Sequence, residues 1–172
     1  MARQKDNKAL PAALPESEFV KAAKKAGLVP EVGKGAVEGK YRKVIDTKDG
    51  RCTGSVDLDA ACKAEEPGAN RWDYGLGFKK VDKPELAIWV EPHSGSSAGE
   101  VKAVLAKLDW LEAKLALKPF ADLRALTDEA RRQGIKPYVW LSSGTVGIRP
   151  GSREANSLAA RGMALPRSYL EI

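Results

Sequence analysis

Two strand-like stretches, residues 71–78 and 86–93, are separated by little more than the turn-like string Val81-Asp82-Lys83-Pro84-Glu85. That spacing predicts an antiparallel hairpin. Side chains two residues apart on a strand share a face, so Trp72, Tyr74, Leu76 and Phe78 line one side of the first stretch. Asp73, Gly75 and Gly77 line the other, where little side-chain bulk would obstruct a ligand or a second backbone. On the second stretch Glu91 projects together with Trp89 and with His93, the only histidine in the chain. A hairpin brings Asp73 to them. An Asp, a Glu and an imidazole over one patch of sheet suit divalent-metal or proton-transfer chemistry. The plainer reading is that these acids face solvent from a one-sided sheet, as is common in hairpins. Pro92 cannot donate to a ladder and marks a strand end or edge.

Beyond the hairpin the pattern turns helical. Ser97-Ala98-Gly99-Glu100 has the spacing of a capping box. Val101, Val104, Leu105, Leu108, Leu111 and Leu115 then recur at helical intervals, placing this helix along a sheet with Lys102, Lys107 and Lys114 on its flanks or outer side. A second helix spans residues 119–133, with Leu123, Leu126 and Ala130 inward and Gly134 at its end. Tyr138-Val139-Trp140-Leu141 reads as a buried strand, residues 152–161 as a last helix, and 169–172 as an edge strand. Upstream, residues 1–14 read as a disordered leader and 15–172 as one domain. Its first helix buries Phe19, Ala22, Ala23 and Ala26 and stops at Gly27. Residues 30–39 read as loop and 41–45 as a strand. Residues 52–59 alternate, with Val56 and Leu58 on one face and Asp57 and Asp59 on the other. The order of elements predicts an α/β fold, a mixed sheet flanked by helices.

Composition narrows the class. With 172 residues, 43% hydrophobic and 30% charged, the chain is built like a globular domain rather than a disordered or membrane one. It holds no apolar run near the roughly 20 residues that cross a bilayer, and its charged start lacks the apolar stretch of a secretory signal. The expectation is a cytoplasmic protein with no membrane partner. A net charge of +6 favours polyanionic partners, nucleic acid above all. Cys52 and Cys62 are too few for a zinc cluster or a disulfide framework and read as reduced thiols. Trp72, Trp89, Trp110 and Trp140 sit in apolar patterns and read as core rather than as platforms for bases. Ser142-Ser143-Gly144-Thr145 comes after a strand as a phosphate loop would. There is no Gly-x-Ser-x-Gly and no P-loop lysine, which argues against serine hydrolases and nucleotide hydrolases. Gly75-x-Gly77 precedes a strand instead of a helix and is no dinucleotide fingerprint.

The strings Gly54-Ser55-Val56-Asp57-Leu58-Asp59, Arg71-Trp72-Asp73-Tyr74-Gly75-Leu76-Gly77, Val90-Glu91-Pro92-His93 and Lys107-Leu108-Asp109-Trp110-Leu111 resemble a family of uncharacterised bacterial proteins, from about residue 40 onward. The layout also resembles the PD-(D/E)xK nuclease superfamily. That resemblance implies a restriction-endonuclease-like fold: a helix carrying a glutamate, a hairpin with an Asp and then Asp/Glu-x-Lys, a helix and a further strand. Position by position, Asp73 matches the hairpin aspartate and Glu91 the second acid, and Glu16 or Glu18 would supply the helix glutamate. Trp72 stands where the pattern has proline and His93 where it has lysine, with Lys102 a spatial substitute.

The resulting expectation is magnesium-dependent phosphodiester hydrolysis of nucleic acid. Asp73 and Glu91 would hold the metal, Asp57 and Asp59 would support it, and His93 would act as base or orient the water. The alternative is a non-catalytic interaction or regulatory module of the same fold. A small-molecule hydrolase using the same acids is the third reading.

Overall fold

The computed structural model describes residues 16–172; the leader expected over residues 1–14 lies outside the described residues. In chain order the elements are α1 (Glu18–Lys25), β1 (Glu31–Val32), α2 (Gly39–Arg42), β2 (Ile45–Asp46), β3 (Gly50–Asp57), α3 (Leu58–Cys62), β4 (Tyr74–Lys80) and β5 (Leu86–Pro92). Then come α4 (Glu100–Ala116), a 3-10 turn (Lys118–Phe120), α5 (Ala121–Arg132), β6 (Tyr138–Leu141), α6 (Arg153–Ala160) and β7 (Leu170–Glu171).

The expected hairpin is β4–β5, antiparallel, with Tyr74 opposite Val90, Leu76 opposite Ile88 and Phe78 opposite Leu86. It forms the middle of a five-stranded sheet in the order β1-β3-β4-β5-β6. Strands β3, β4 and β5 form an antiparallel meander, whereas β6 runs parallel to β5. A parallel neighbour needs a long crossover, and α4 and α5 supply it. The fold is therefore α/β with a mixed sheet.

Both faces of this sheet are buried. On one, Val56, Ala87, Trp89, Tyr138 and Trp140 pack against Phe19 of α1, Val104, Leu108 and Leu111 of α4, and Leu123 of α5. On the other, Tyr74, Leu76, Phe78, Ile88, Val90 and Leu141 meet Val37, Ile45, Leu170 and Ile172. A sheet covered twice cannot present the Asp73/Glu91 face to water along its length, so the one-sided sheet does not apply.

The space over Gly75 and Gly77 is occupied by core side chains. A Cβ on Gly75 would lie 2.5 Å from Cζ3 of Trp89, its cross-strand partner, and one on Gly77 would collide with Phe19. The missing side chains admit an indole and a helix. Trp89 is buried and donates to Thr127 Oγ1 at 2.9 Å, while Trp72 and Trp140 are buried too. Trp72 precedes β4 and packs on the helical side, edge-on to Tyr138, instead of sharing the face of Tyr74. The first helix is fixed by Glu85, whose buried carboxylate accepts from the backbone N–H groups of Glu18 (2.9 Å) and Phe19 (3.1 Å). It satisfies two of the orphan donors at that helix start from across the chain.

Several local expectations are corrected. Residues 30–39 contain the edge strand β1, residues 39–42 are a helical turn, and β2 is confined to residues 45–46. The chain end joins β2 in a separate parallel ribbon rather than the edge of the main sheet. Asp59 is helical, because Asp57 ends β3 and caps α3 through a bond from the Ala60 N–H to its carboxylate at 2.8 Å. Helix α4 begins at Glu100 with no side-chain cap, so the capping box is not formed. Cys52 and Cys62 are both free. Among the described residues no helix is long and apolar enough to cross a membrane.

Candidate functional site

The Tyr74–Val90 pair is the last of the β4–β5 ladder, and one step beyond it Asp73 meets Glu91. The Asp73 backbone N–H donates to Glu91 Oε2 at 3.1 Å. Glu91 is 0% exposed, sealed at the end of β5 under α4. Its other oxygen, Oε1, accepts from the Lys107 ammonium, which also donates to Asp73 Oδ1 at 3.1 Å. One cation thus ties together two carboxylates drawn from neighbouring strands.

Helix periodicity explains how Lys107 arrives. Val104, Leu108 and Leu111 form the buried stripe of α4. Residue 107 lies three positions after the first and four before the last, on the margin of that stripe, where a long side chain can track the apolar surface and end in the cluster. Glu100, two turns earlier, falls on the same side of the helix. Its Oε2 lies 2.6 Å from His93 Nε2, at hydrogen-bond distance, while His93 Nδ1 stands 3.8 Å from Glu91 Oε1. The second distance is an electrostatic contact, too long for a hydrogen bond.

His93 is held from the backbone as well. Its N–H donates to Leu141 O at 3.1 Å and its carbonyl accepts from Trp140 Nε1 at 2.9 Å. The Trp140 ring packs edge-on to the imidazole, with centroids 6.2 Å apart. The neighbouring loops are tied by Ser142, whose hydroxyl accepts from the Gly95 N–H at 3.0 Å. This buried serine links two strand ends, which is a use other than that of a nucleophile.

Charge and burial pull against each other in this cluster. Burial, reinforced by the nearby Asp73 charge, pushes the Glu91 carboxyl up to about 8, against the downward pull of Lys107. Burial raises Asp73 as well, opposed again by Lys107. For Lys107 burial disfavours the ammonium, yet the two acids outweigh it and its pKa rises. The lysine is thus held as the ammonium, and Glu91 keeps its proton to higher pH than an ordinary carboxyl, as a poorly hydrated pocket favours.

The sequence-derived candidates divide. Asp73, Glu91 and His93 converge. Asp57 and Asp59 lie close enough for their charges to raise Asp73, but each has its own task. Asp57 caps α3, and Asp59 pairs with Arg71 at 2.8 Å. Glu18, exposed at the start of the first helix, pairs with Lys21 at 3.1 Å, and Glu16, exposed just before that helix, pairs with Lys24. Lys102 is exposed, and it is Lys107 that enters the cluster. Lys107 and Glu100 are the residues that reading the sequence missed. The signal that could have found them is their shared helical face beside an apolar stripe.

No protein-family model, curated protein or solved structure matches the chain. The test for a metal therefore rests on the donors themselves. Among the described residues no group of three or more His, Cys, Asp or Glu side chains is arranged to hold an ion. Magnesium, however, is commonly held by only one or two carboxylates together with water and substrate phosphate. Asp73 and Glu91 offer those hard oxygens, and the position between them already receives a cation, the Lys107 ammonium. The donor chemistry fits magnesium provided Lys107 yields its place.

Proposed function

We propose that this chain is a nuclease-like α/β protein that hydrolyses phosphodiester bonds in nucleic acid, with its reacting centre at Asp73, Glu91, Lys107 and His93. The single observation supporting this reading is the cross-strand carboxylate pair at a sheet end, contacted on both acids by one lysine ammonium. With β1, α2, β2, α3 and α5 set aside as additions, the succession α1, β3, β4, β5, α4, β6 is compatible with the helix–hairpin–helix–strand layout that the resemblance to the PD-(D/E)xK superfamily implies. In that superfamily the lysine sits two residues after the second acid. Here His93 takes that position and Lys107 supplies an ammonium from the next helix.

Asp73 and Glu91 would hold magnesium, which when bound polarises a phosphate and lowers the pKa of its water. The chain's own groups perform the rest. Released from the carboxylates, Lys107 offers a compact charge to the phosphate oxygens as negative charge builds on them. His93 takes the proton of the attacking water. Asp57 and Asp59 add negative potential near the metal-holding pair. A net charge of +6 draws the polyanion in.

One observation favours a second reading. Lys107 already neutralises the pair, so the cluster is complete without a metal and would serve a non-catalytic, interaction-only module of the same fold. Calorimetric titration of the full chain with magnesium or manganese separates the two. The catalytic reading predicts a binding heat that Asp73→Asn and Glu91→Gln abolish while circular dichroism shows both variants folded. Absence of heat in the wild type leaves the interaction module.

A further inference from the structure

The structure assigns Glu100 a positioning role: its carboxylate fixes His93 as the Nε2–H tautomer, so that Nδ1, turned toward Glu91, is the nitrogen that works on the reacting centre. This rests on the reading of the cluster as a reacting centre, although the tautomer itself can be observed without any activity.

At the start of α4 a rule of local structure is broken. The sequence offers Ser97 and Glu100 as a capping box, which would satisfy donors at that helix start. Instead α4 starts behind Gly99 with no side-chain cap, and the Glu100 carboxylate turns to His93 Nε2 at 2.6 Å. A first-turn acid taken away from its own helix start is a local departure of the kind that concentrates at functional sites. The bond also has a direction. An ionised carboxylate only accepts, so Nε2 must carry the hydrogen, and in the neutral ring Nδ1 is then the bare acceptor.

The surroundings leave the imidazole little freedom. Its backbone is bonded on both sides to β6, through Leu141 O and Trp140 Nε1, and its ring abuts Trp140. With Nε2 beside Glu100, Nδ1 faces the inner cluster 3.8 Å from Glu91 Oε1. Glu91 Oε1 is also the oxygen that receives Lys107. The His93 side chain keeps 25% of its surface exposed, so water and substrate can reach it. Glu100 touches neither of the inner acids in this arrangement; it acts through the imidazole.

A chain with one histidine makes the test unambiguous. Long-range 1H–15N correlation spectra of the uniformly labelled full chain, recorded where the ring is neutral, report which nitrogen bears the hydrogen. The expected result is Nε2–H in the wild type. It should persist in Glu100→Gln, whose amide oxygen can still accept, and be lost to a mixed population in Glu100→Ala. Thermal melting of each variant verifies that the fold is kept. A nuclease assay on the same set should show roughly tenfold or greater loss in Glu100→Ala and recovery in Glu100→Gln, the usual scale for removing an orienting partner. A wild-type ring that is Nδ1–H or mixed overturns the inference, as does an Nε2–H ring that Glu100→Ala leaves unchanged. Nε2–H spectra that respond as expected, in a protein that cleaves nothing, would keep the positioning role and reject the nuclease reading instead.

Discussion

Lys107→Met should lower stability by about 2–4 kcal/mol near pH 8, measured by urea unfolding, and by roughly 1 kcal/mol near pH 5. The substitution keeps a long apolar stem, so the packing beside Val104 and Leu111 survives while the ammonium is lost. Removing one partner of a buried ion pair typically costs about 3–5 kcal/mol, because the charge left behind has no compensation. Here the figure is reduced, since the Lys107 and Asp73 side chains keep 22% and 27% exposure and water can take over part of the contact. Glu91, at 0% exposure, has no such relief. The pH dependence comes from the acids. Near pH 5 the Glu91 carboxyl carries its proton with or without the lysine; as pH rises Lys107 favours the ionised form, so losing it costs more. Lys102→Met on the exposed side of the same helix is the control and should change stability by no more than about 0.5 kcal/mol. Equal behaviour of the two variants would show that Lys107 is another surface lysine.

The second large effect is that the wild type should lose stability as pH rises from about 5 to about 8, and that Glu91→Gln should remove most of this loss. The Glu91 carboxyl lies near 8 in the folded protein, against a usual value of 4.5. Between those values the native state binds a proton that the unfolded chain has released, so raising the pH favours unfolding. The stabilisation is complete below about 4.5, declines as pH climbs, and is gone once pH passes the folded value. The steepest slope one such group can impose is about 1.4 kcal/mol per pH unit. Glutamine preserves the shape and an oxygen for the Asp73 N–H, and it does not ionise. Wild type and Glu91→Gln should therefore be close near pH 5, with the variant more stable by a few kcal/mol near pH 8.5. Parallel curves for the two proteins across this range would mean that Glu91 titrates as an ordinary carboxylate.

The hairpin is legible in the sequence because its signal is local. Alternation over residues 74–78 fixes which side chains share a face, though it misplaces Trp72, which precedes the strand, and a short connection fixes antiparallel pairing. Asp73 and Glu91 therefore meet as expected. The seal on the other side is less legible, since alternation shows that a face is polar or small without showing what covers it. Gly75 and Gly77 read as space for a ligand and prove to be the bed of Trp89 and Phe19. Lys107 is hidden for a related reason. A lysine on the margin of an apolar stripe looks like any solvated lysine until the partner surface is known. Glu100 stands out in the sequence, but for a different bond: a capping box and a side chain reaching His93 have the same spacing. The two-residue β1, with both residues exposed, carries no alternation to read. Pairing of β7 with β2 joins the end of the chain to residues 45–46, a contact that no local pattern encodes.

The most direct measurement of the central claim is a cleavage assay with the purified full chain on labelled single- and double-stranded DNA and RNA, with magnesium or manganese and with chelator. Cleavage should appear with the metal, disappear with chelator, and fall by at least roughly a hundredfold in Asp73→Asn, which removes one of the two metal-holding acids. Nucleic acid left intact by the wild type under every condition, or cut equally well by Asp73→Asn, would contradict the claim that this strand-end cluster breaks phosphodiester bonds.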